Sequence, residues 1–434
     1  MPMNVLTFSE ARHLVSRTGL GAEWGSIKAL EGQTRDKAVE QILHTPPSPL
    51  RPPPPLTPWN KLEPMRDESA KGRKDAWMIA QQEGKRLQGW WLEQMLATKS
   101  PFIERMTLFW HGFLTSSIQK TLQPSLLYKQ NLLLRRHALG NFRHLLQAIA
   151  RDPAMLVYLD GYQNAKDSPN ENFARELLEL FTIGRGKYNQ ADVTAAAKAF
   201  TGWTVHPQTG EFQVRADLHD NSPLTFLKKH KGRFTGEQII DLLLNNDRTA
   251  ERLAERFWRN FVSTARPNPV LIKHWGAQFR QLNYDIKGIL RLVLNSPEFW
   301  DKRNRGALVK SPVDLLVGTL RMTRGYRREN TGEMINLCRL LGQELFDPPS
   351  VKGWSGGEHW ISTQTLLVRA SYLAKISRGN LDQKYDDQLP LPVRDAQGII
   401  DWMLAVPPVN ALPKIPGERR LAHALLLDPS FQVN

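Results

Sequence analysis

Ser168-Pro-Asn-Glu-Asn-Phe-Ala-Arg-Glu-Leu-Leu-Glu-Leu-Phe-Thr-Ile183 decides how the rest of the chain is read. A Ser, then Pro169, then Glu171 three residues after the Ser is the pattern of a capped helix start, with Ser168 as the cap. At about 100° per residue, Phe173, Ala174, Leu177, Leu178, Leu180 and Phe181 take one face and Asn172, Arg175, Glu176 and Glu179 the other. An amphipathic helix over Glu171–Ile183 is expected. The same period recurs in both directions along the chain. It predicts helices over Thr7–Val15, Asp36–Leu43, Asp75–Leu96, Phe102–Phe113, Leu126–His137, Phe142–Ala150 and Ala191–Phe200. Further on it predicts Glu237–Leu244, Ala250–Phe261, Ile286–Leu294, Val313–Arg324, Gly332–Leu341, Ile399–Ala405 and Arg419–Leu427. Strand signals are few: Gly210–Arg215 alternates, which allows one short β-hairpin around 203–218. No fixed-period repeat is present.

The fold class that follows is all-α, a large irregular helical bundle. Four segments are expected. Residues 1–45 form an N-terminal helical segment, and 46–59 a Pro-rich connector (TPPSPLRPPPPLTPW over 45–59) of polyproline character. Residues 60–380 form the main helical domain. Residues 381–434, broken by Pro390, Pro392, Pro407 and Pro408, form a helical tail that packs on it.

Composition limits the chemistry. The 434 residues hold 58 Lys and Arg against 43 Asp and Glu, a net charge of +15. That excess attracts acidic partners such as nucleic acid, anionic lipid or phosphorylated and sulfated polymers. The single cysteine, Cys338, excludes an intrachain disulfide framework and any zinc site built on several Cys ligands. No stretch reaches the roughly 18 apolar residues of a membrane span. Glu10, Arg12 and Arg17 stand where a signal peptide needs an apolar core, so the expected compartment is the cytoplasm.

Three polar groupings are candidates for a site. On the 171–183 helix, Glu176 and Glu179 stand about one turn apart, a spacing that suits a divalent metal or a division into acid and base. The competing reading is a solvated face with Arg175 in an i,i+4 ion pair to Glu179. His111, in Phe109-Trp-His111 at a helix end, is a candidate base among aromatic rings, or a packed, hydrogen-bonded histidine. His219-Asp220 follows the expected hairpin and supplies two more candidate metal or acid–base groups. Other matches weigh less. Gly353-Trp-Ser-Gly-Gly357, with His359 nearby, spells a nucleophile elbow but lacks the strand that this motif requires. Arg321, Arg324, Arg327 and Arg328 beside Tyr326 form a basic cluster best read as a solvated helix end.

Longer strings now become specific. They are Asn170 to Gly184, continuing through Tyr188, Asp192 and Ala197 to Phe200-Thr-Gly-Trp203; Phe109-Trp-His111; His137 to Phe142; Asp152 to Asp160; His219-Asp220; Arg256 to Val262; and Gly342 to Trp354. With the opening Glu10 to Gly19, the chain resembles, over nearly its whole length, the bacterial family called domain of unknown function 1800. The resemblance implies a mainly helical fold. It also implies a partner of the domain of unknown function 1501 family, which is similar to phosphatases and sulfatases, and a place at the cell envelope as the alternative to the cytoplasm. The family pattern carries a Lys shortly after the His-Asp pair and often a second His two residues after the Trp-His pair. This chain has neither there, and Lys228 and Lys229 are its nearest substitutes.

Two functions follow as expectations. One is an enzyme or ligand site in which His111, Glu176, Glu179, His219 and Asp220 do the chemistry, with or without a divalent metal on the last four. Asn170, Asn172, Arg175 and Trp203 then hold an anionic substrate. The other is a non-catalytic helical adaptor for a protein or acidic polymer, with Trp77, Trp90 and Trp91 lining a groove. Nucleic acid is not expected, because no recognised reading motif is present.

Overall fold

Short polar caps start most helices among the described residues, and three of these are reciprocal: Thr7 with Glu10, Asn189 with Asp192, and Thr235 with Gln238. The structure is a computed structural model that describes residues 5–61, 69–324, 331–379, 391–413 and 417–434. The chain opens with α1 (Phe8–Thr18), α2 (Trp24–Leu30) and α3 (Arg35–Leu43), then runs extended to α4 (Ala70–Ala97). Next come α5 (Pro101–Phe113), α6 (Ile118–Thr121), α7 (Pro124–Arg136), α8 (Phe142–Ala150) and α9 (Pro153–Tyr158). The short α10 (Asn172–Glu176) passes into a π-helical turn, Leu177–Phe181, before α11 (Gln190–Ala199). Two antiparallel hairpins follow, β1 (Trp203–Val205) with β2 (Phe212–Val214), and β3 (Leu224–Phe226) with β4 (His230–Gly232). The second half holds α12 (Gly236–Leu244) and α13 (Asp247–Phe257), which ends in a second π turn, Trp258–Val262. Then come α14 (Pro269–Gln281), α15 (Ile286–Asn295), α16 (Pro297–Trp300), α17 (Pro312–Thr323), α18 (Thr331–Leu340), α19 (Thr363–Gly379), α20 (Ala396–Met403) and α21 (Glu418–Leu426). The fold is mainly all-α, as expected.

Four differences have physical reasons. Ser168 does not cap a helix, because it closes a tight turn with Ala165; Asn170 Oδ1 accepts the Asn172 N–H and starts α10 instead. The second hairpin turns on Leu227 and Lys228, both left-handed, rather than on the Asn and Gly that mark such turns in a sequence. Helix α14 buries Ile272, Trp275, Gly276 and Phe279 behind an Asn268 cap, a stripe that the periodicity reading passed over. Helix α19 turns Arg369 inward with Tyr372 and Leu373, so its buried stripe begins on a cation.

The core is built around α5. Trp110 stacks on Phe142 at 5.6 Å and gives its indole N–H to Ala138; Phe109 stacks on Phe257 at 5.4 Å. Trp90 and Trp91 are buried here, so of the three tryptophans expected to line a groove only Trp77 is exposed. Glu104 receives two bonds from Arg135, at 2.9 and 2.8 Å, and one from the Trp91 indole, tying α4, α5 and α7 together. The Pro-rich stretch lies along α4: Thr57 bonds Glu83 and the Arg51 N–H bonds Gln94. Arg321 bonds the carbonyls of Met95, Leu96 and Thr98 at the end of α4, so it belongs to a helix terminus and not to a solvated cluster. Tyr326, Arg327, Arg328 and Pro390 lie outside the described residues. At the other end of the chain, Arg12 of α1 bonds the carbonyls of Trp402 and Met403 in α20. Among the described residues, no helix is long and apolar enough to cross a membrane.

Candidate functional site

Nearly all side chains of the three polar groupings expected from the sequence bond to protein. Asn170 closes the start of α10, and Asn172 donates to Asp160, which also pairs with Lys120. Arg175 bonds Glu171 and Gln190, not Glu179. Glu171 also accepts from Thr194 and Gln190, and these bonds hold its carboxyl below the usual range, led by Thr194. Glu179 accepts the Tyr188 hydroxyl at 2.9 Å; burial first, then this bond, pushes that phenol up to about 12. His219 Nδ1 lies 2.9 Å from the Thr201 carbonyl and 3.2 Å from its hydroxyl. Asp220 caps Ser222, and its main-chain N–H donates to the Thr201 hydroxyl. Lys198, from the end of α11, stands 3.6 Å from Asp220. Trp203 is buried in hairpin packing against Phe200 and Phe212. Lys228 and Lys229 are exposed in the β3–β4 turn.

His111 is buried, and its Nε2 accepts the Phe346 N–H at 3.1 Å among the rings of Trp91, Phe346 and Trp354. Burial lowers its pKa to about 3, so it is a neutral acceptor at physiological pH. Glu176 differs from its neighbours. It is half-buried and takes no hydrogen bond from any described residue; burial and then Glu179 raise its pKa. Among the described residues no three His, Cys, Asp or Glu side chains gather to hold one metal ion. Glu176, Glu179, His219 and Asp220 therefore do not form a three-ligand set.

A second site was not expected. A cavity of about 680 Å³ opens where the end of α5, the π turn after α13, residues 307–314 and the loop 354–360 meet. Gly353 makes this junction possible. Its φ is +76°, and a Cβ there would collide with the Gly112 carbonyl, so the loop lies directly on α5. The lining includes Arg17, Arg105, Arg256 and Arg259. Arg17 is fully buried and donates to the carbonyls of Phe261, Val262, Asn304 and Asn434, with its Nε left without a partner. Arg105 bonds the Gly19 carbonyl and Asp314.

Arg256 and Arg259 are in a different condition. The Arg256 guanidinium sits 4.1 Å over the Phe113 ring, and neither it nor Arg259 has a hydrogen bond or ion pair to a described residue. Burial, then Arg252 and Arg259, lower the Arg256 pKa to about 10, which leaves it cationic at neutral pH. The indole Nε1 of Trp354, on the same lining, is buried without a partner among the described residues. The π turn contributes directly: Ser263 bonds back to Trp258, five residues earlier, which widens the helix where Arg259 and Asn260 emerge. Arg256 and Arg259 belong to a string noted in the sequence only for its likeness to a family; nothing in its spacing marks them as ligand groups.

The elbow string lies on this cavity as well. It follows a turn rather than a strand and leads into a 3₁₀ turn at Gly357–Trp360, so it does not raise a nucleophile above a sheet. No curated protein and no solved structure matches the chain. A family model does match, over residues 13–432, and the chain belongs to the family described as "Protein of unknown function (DUF1800)".

Proposed function

We propose that this protein binds an anionic ligand, of the phosphate, sulfate or carboxylate kind, in the cavity between α5, α13 and the 354–360 loop. The observation that carries the reading is the unpartnered Arg256 guanidinium, seated on Phe113 in the cavity wall. A cation partly removed from water and left without a hydrogen-bonded counter-charge among the described residues is costly, and an oxyanion bonded to it offsets that cost. Arg259 and the Trp354 N–H add donors to the same lining, and Arg17 adds positive potential behind it. The reading keeps the anionic substrate expected from the sequence but moves it from the α10 stripe to the cavity. The donor set is cationic, so the ligand needs no bridging metal.

Titration calorimetry of wild type and Arg256→Met with inorganic phosphate and sulfate, at low ionic strength, tests it. Saturable binding to wild type that weakens at least tenfold in Arg256→Met, while Arg175→Met binds as wild type does, supports the proposal. Absent binding in wild type, or equal binding in Arg256→Met, overturns it.

A second reading rests on Glu176 alone. A half-buried carboxyl with a raised pKa and no bonded partner is suited to proton transfer. Carbon-13 NMR titration of its carboxyl is the test, and a midpoint at the ordinary glutamate value removes this reading.

A further inference from the structure

The cavity is much larger than a single oxyanion. Its volume of about 680 Å³ lies within the roughly 300–1,000 Å³ of pockets that enclose organic ligands. Beyond the arginines, the lining changes character. Phe109, Leu308 and Trp360 supply apolar wall, and the loop bearing Trp354 adds Ser355, Glu358 and His359. These three side chains are exposed and have no hydrogen bond or ion pair to described residues. Glu358 as a carboxylate accepts only, so a ligand group that displaces water from it donates. An occupant that uses the whole lining has three parts: an oxyanion for Arg256 and Arg259, a body with an apolar face, and hydrogen-bond donors for Glu358 and its neighbours. A simple anion supplies only the first, and an aromatic acid only the first two.

Resting on the anion-binding reading above, we infer that the ligand is a saccharide unit carrying a phosphate or sulfate ester. A sugar ring has one face of C–H groups and a periphery of hydroxyls, which matches an apolar wall beside an unpaired carboxylate. A free sugar ester and the end unit of an anionic glycan share this chemistry.

The test uses the full chain and calorimetry with named probes. These are phosphate and sulfate; glucose 6-phosphate, N-acetylglucosamine 1-phosphate and galactose 6-sulfate; glucose alone; and a chondroitin 6-sulfate tetrasaccharide. At least one sugar ester is expected to bind tenfold or more tighter than its bare anion, with glucose alone binding weakest. Glu358→Gln, checked for an unchanged melting temperature, is expected to cut that ratio at least threefold. A tetrasaccharide that outbinds the monosaccharide sulfate identifies a glycan end; the reverse identifies a free sugar ester. If the bare anions bind and no sugar ester exceeds them, or if Glu358→Gln leaves the ratio untouched, this inference falls and the anion site stands. If no anion binds at all, both fall.

Discussion

Helix α10 with its π turn and helix α13 with its own are neighbours joined by Arg252, whose guanidinium bonds the carbonyls of Glu179 and Thr182. Both carry a stripe of charged residues, and both end in a widened turn. On α10 the stripe is closed by the protein itself: Asn172, Arg175 and Glu179 each have a bonded partner, and only Glu176 lacks one among the described residues. On α13 the stripe changes along its length. Arg248 pairs with Glu251 and Glu255, and Arg252 bonds two carbonyls; the Arg256 guanidinium, one turn further, has only the Phe113 ring among the described residues. The difference teaches that polar residue type does not locate a site. A site is where polar groups reach a cavity with their bonding capacity still open.

The sharpest way to break this comparison is to remove cations of each kind. Arg17→Met strips four main-chain carbonyls of their buried donor, and should cost about 3–5 kcal/mol of unfolding free energy. Urea denaturation reads this directly, and a loss below ~1 kcal/mol contradicts the structural role assigned to it. Arg252→Met and Arg256→Met then form a matched pair. The first should cost about 2 kcal/mol, because hydrogen bonds from a charged group are lost. The second should change stability by less than ~1 kcal/mol, since the lost ring contact is offset by relief from Arg252 and Arg259. It should nevertheless weaken phosphate and sulfate binding at least tenfold. Equal destabilisation by the two variants means that Arg256 holds the fold together as firmly as Arg252 does.

This pair also shows why the fold was more legible in the sequence than the site. Helix α13 announces itself through Ala250, Leu253, Ala254 and Phe257, because burial of an apolar stripe imposes a period that any reader can count. The apolar period begins at Ala250, three residues after the helix does, and continues into the π turn, whose extra residue leaves no mark in composition. Arg252 and Arg256 look alike in a sequence, four residues apart beside the same stripe. What separates them is the carbonyl groups of residues 179 and 182, about 70 positions away, and the empty space beside Phe113. The polar stripe of α10 stood out because it is local, and locality is also what lets Glu171 and Arg175 satisfy each other. Gly353 and the 354–360 loop became part of a site only through a backbone contact with α5.

Acidification gives a third comparison, between two buried groups, His111 and Asp152. His111 has a folded pKa of about 3 against an ordinary value of 6.5. Its neutral form stabilises the fold above pH 6.5, and that contribution is lost as the pH falls towards 3. Asp152 is displaced the other way, to about 7 from 3.8, mainly by burial against its bonds from Met155 and Gln130. Its contribution is present below pH 3.8 and is lost as the pH rises through 7. Between about pH 4 and 6.5 the two slopes oppose each other, each up to about 1.4 kcal/mol per pH unit. Wild type should therefore show a shallow dependence there. Asp152→Asn should expose the histidine slope, with stability falling steeply below pH 6. A flat profile in that variant means that His111 titrates near its ordinary value.

Glu176→Gln should have the smallest effect, and its sign is informative. The folded protein raises the pKa of this carboxyl, first through burial and then through Glu179, while Lys352 and Arg175 pull it down. The protonated form is thus preferred in the fold, and ionisation removes stability as the pH rises through the folded pKa. Gln imitates the protonated form at every pH. The variant should match wild type at pH 4 and exceed it at pH 8 by a few tenths of a kcal/mol, about the cost of a like-charge pair on a helix. Differential melting at the two pH values checks this. Phosphate binding should be unchanged, because no phosphate ligand is assigned to α10. A variant that melts lower at pH 8 means that Glu176 makes a stabilising bond as a carboxylate. One that loses phosphate binding means that the closed stripe and the open cavity are one site, and the contrast between the two helices would then have to be abandoned.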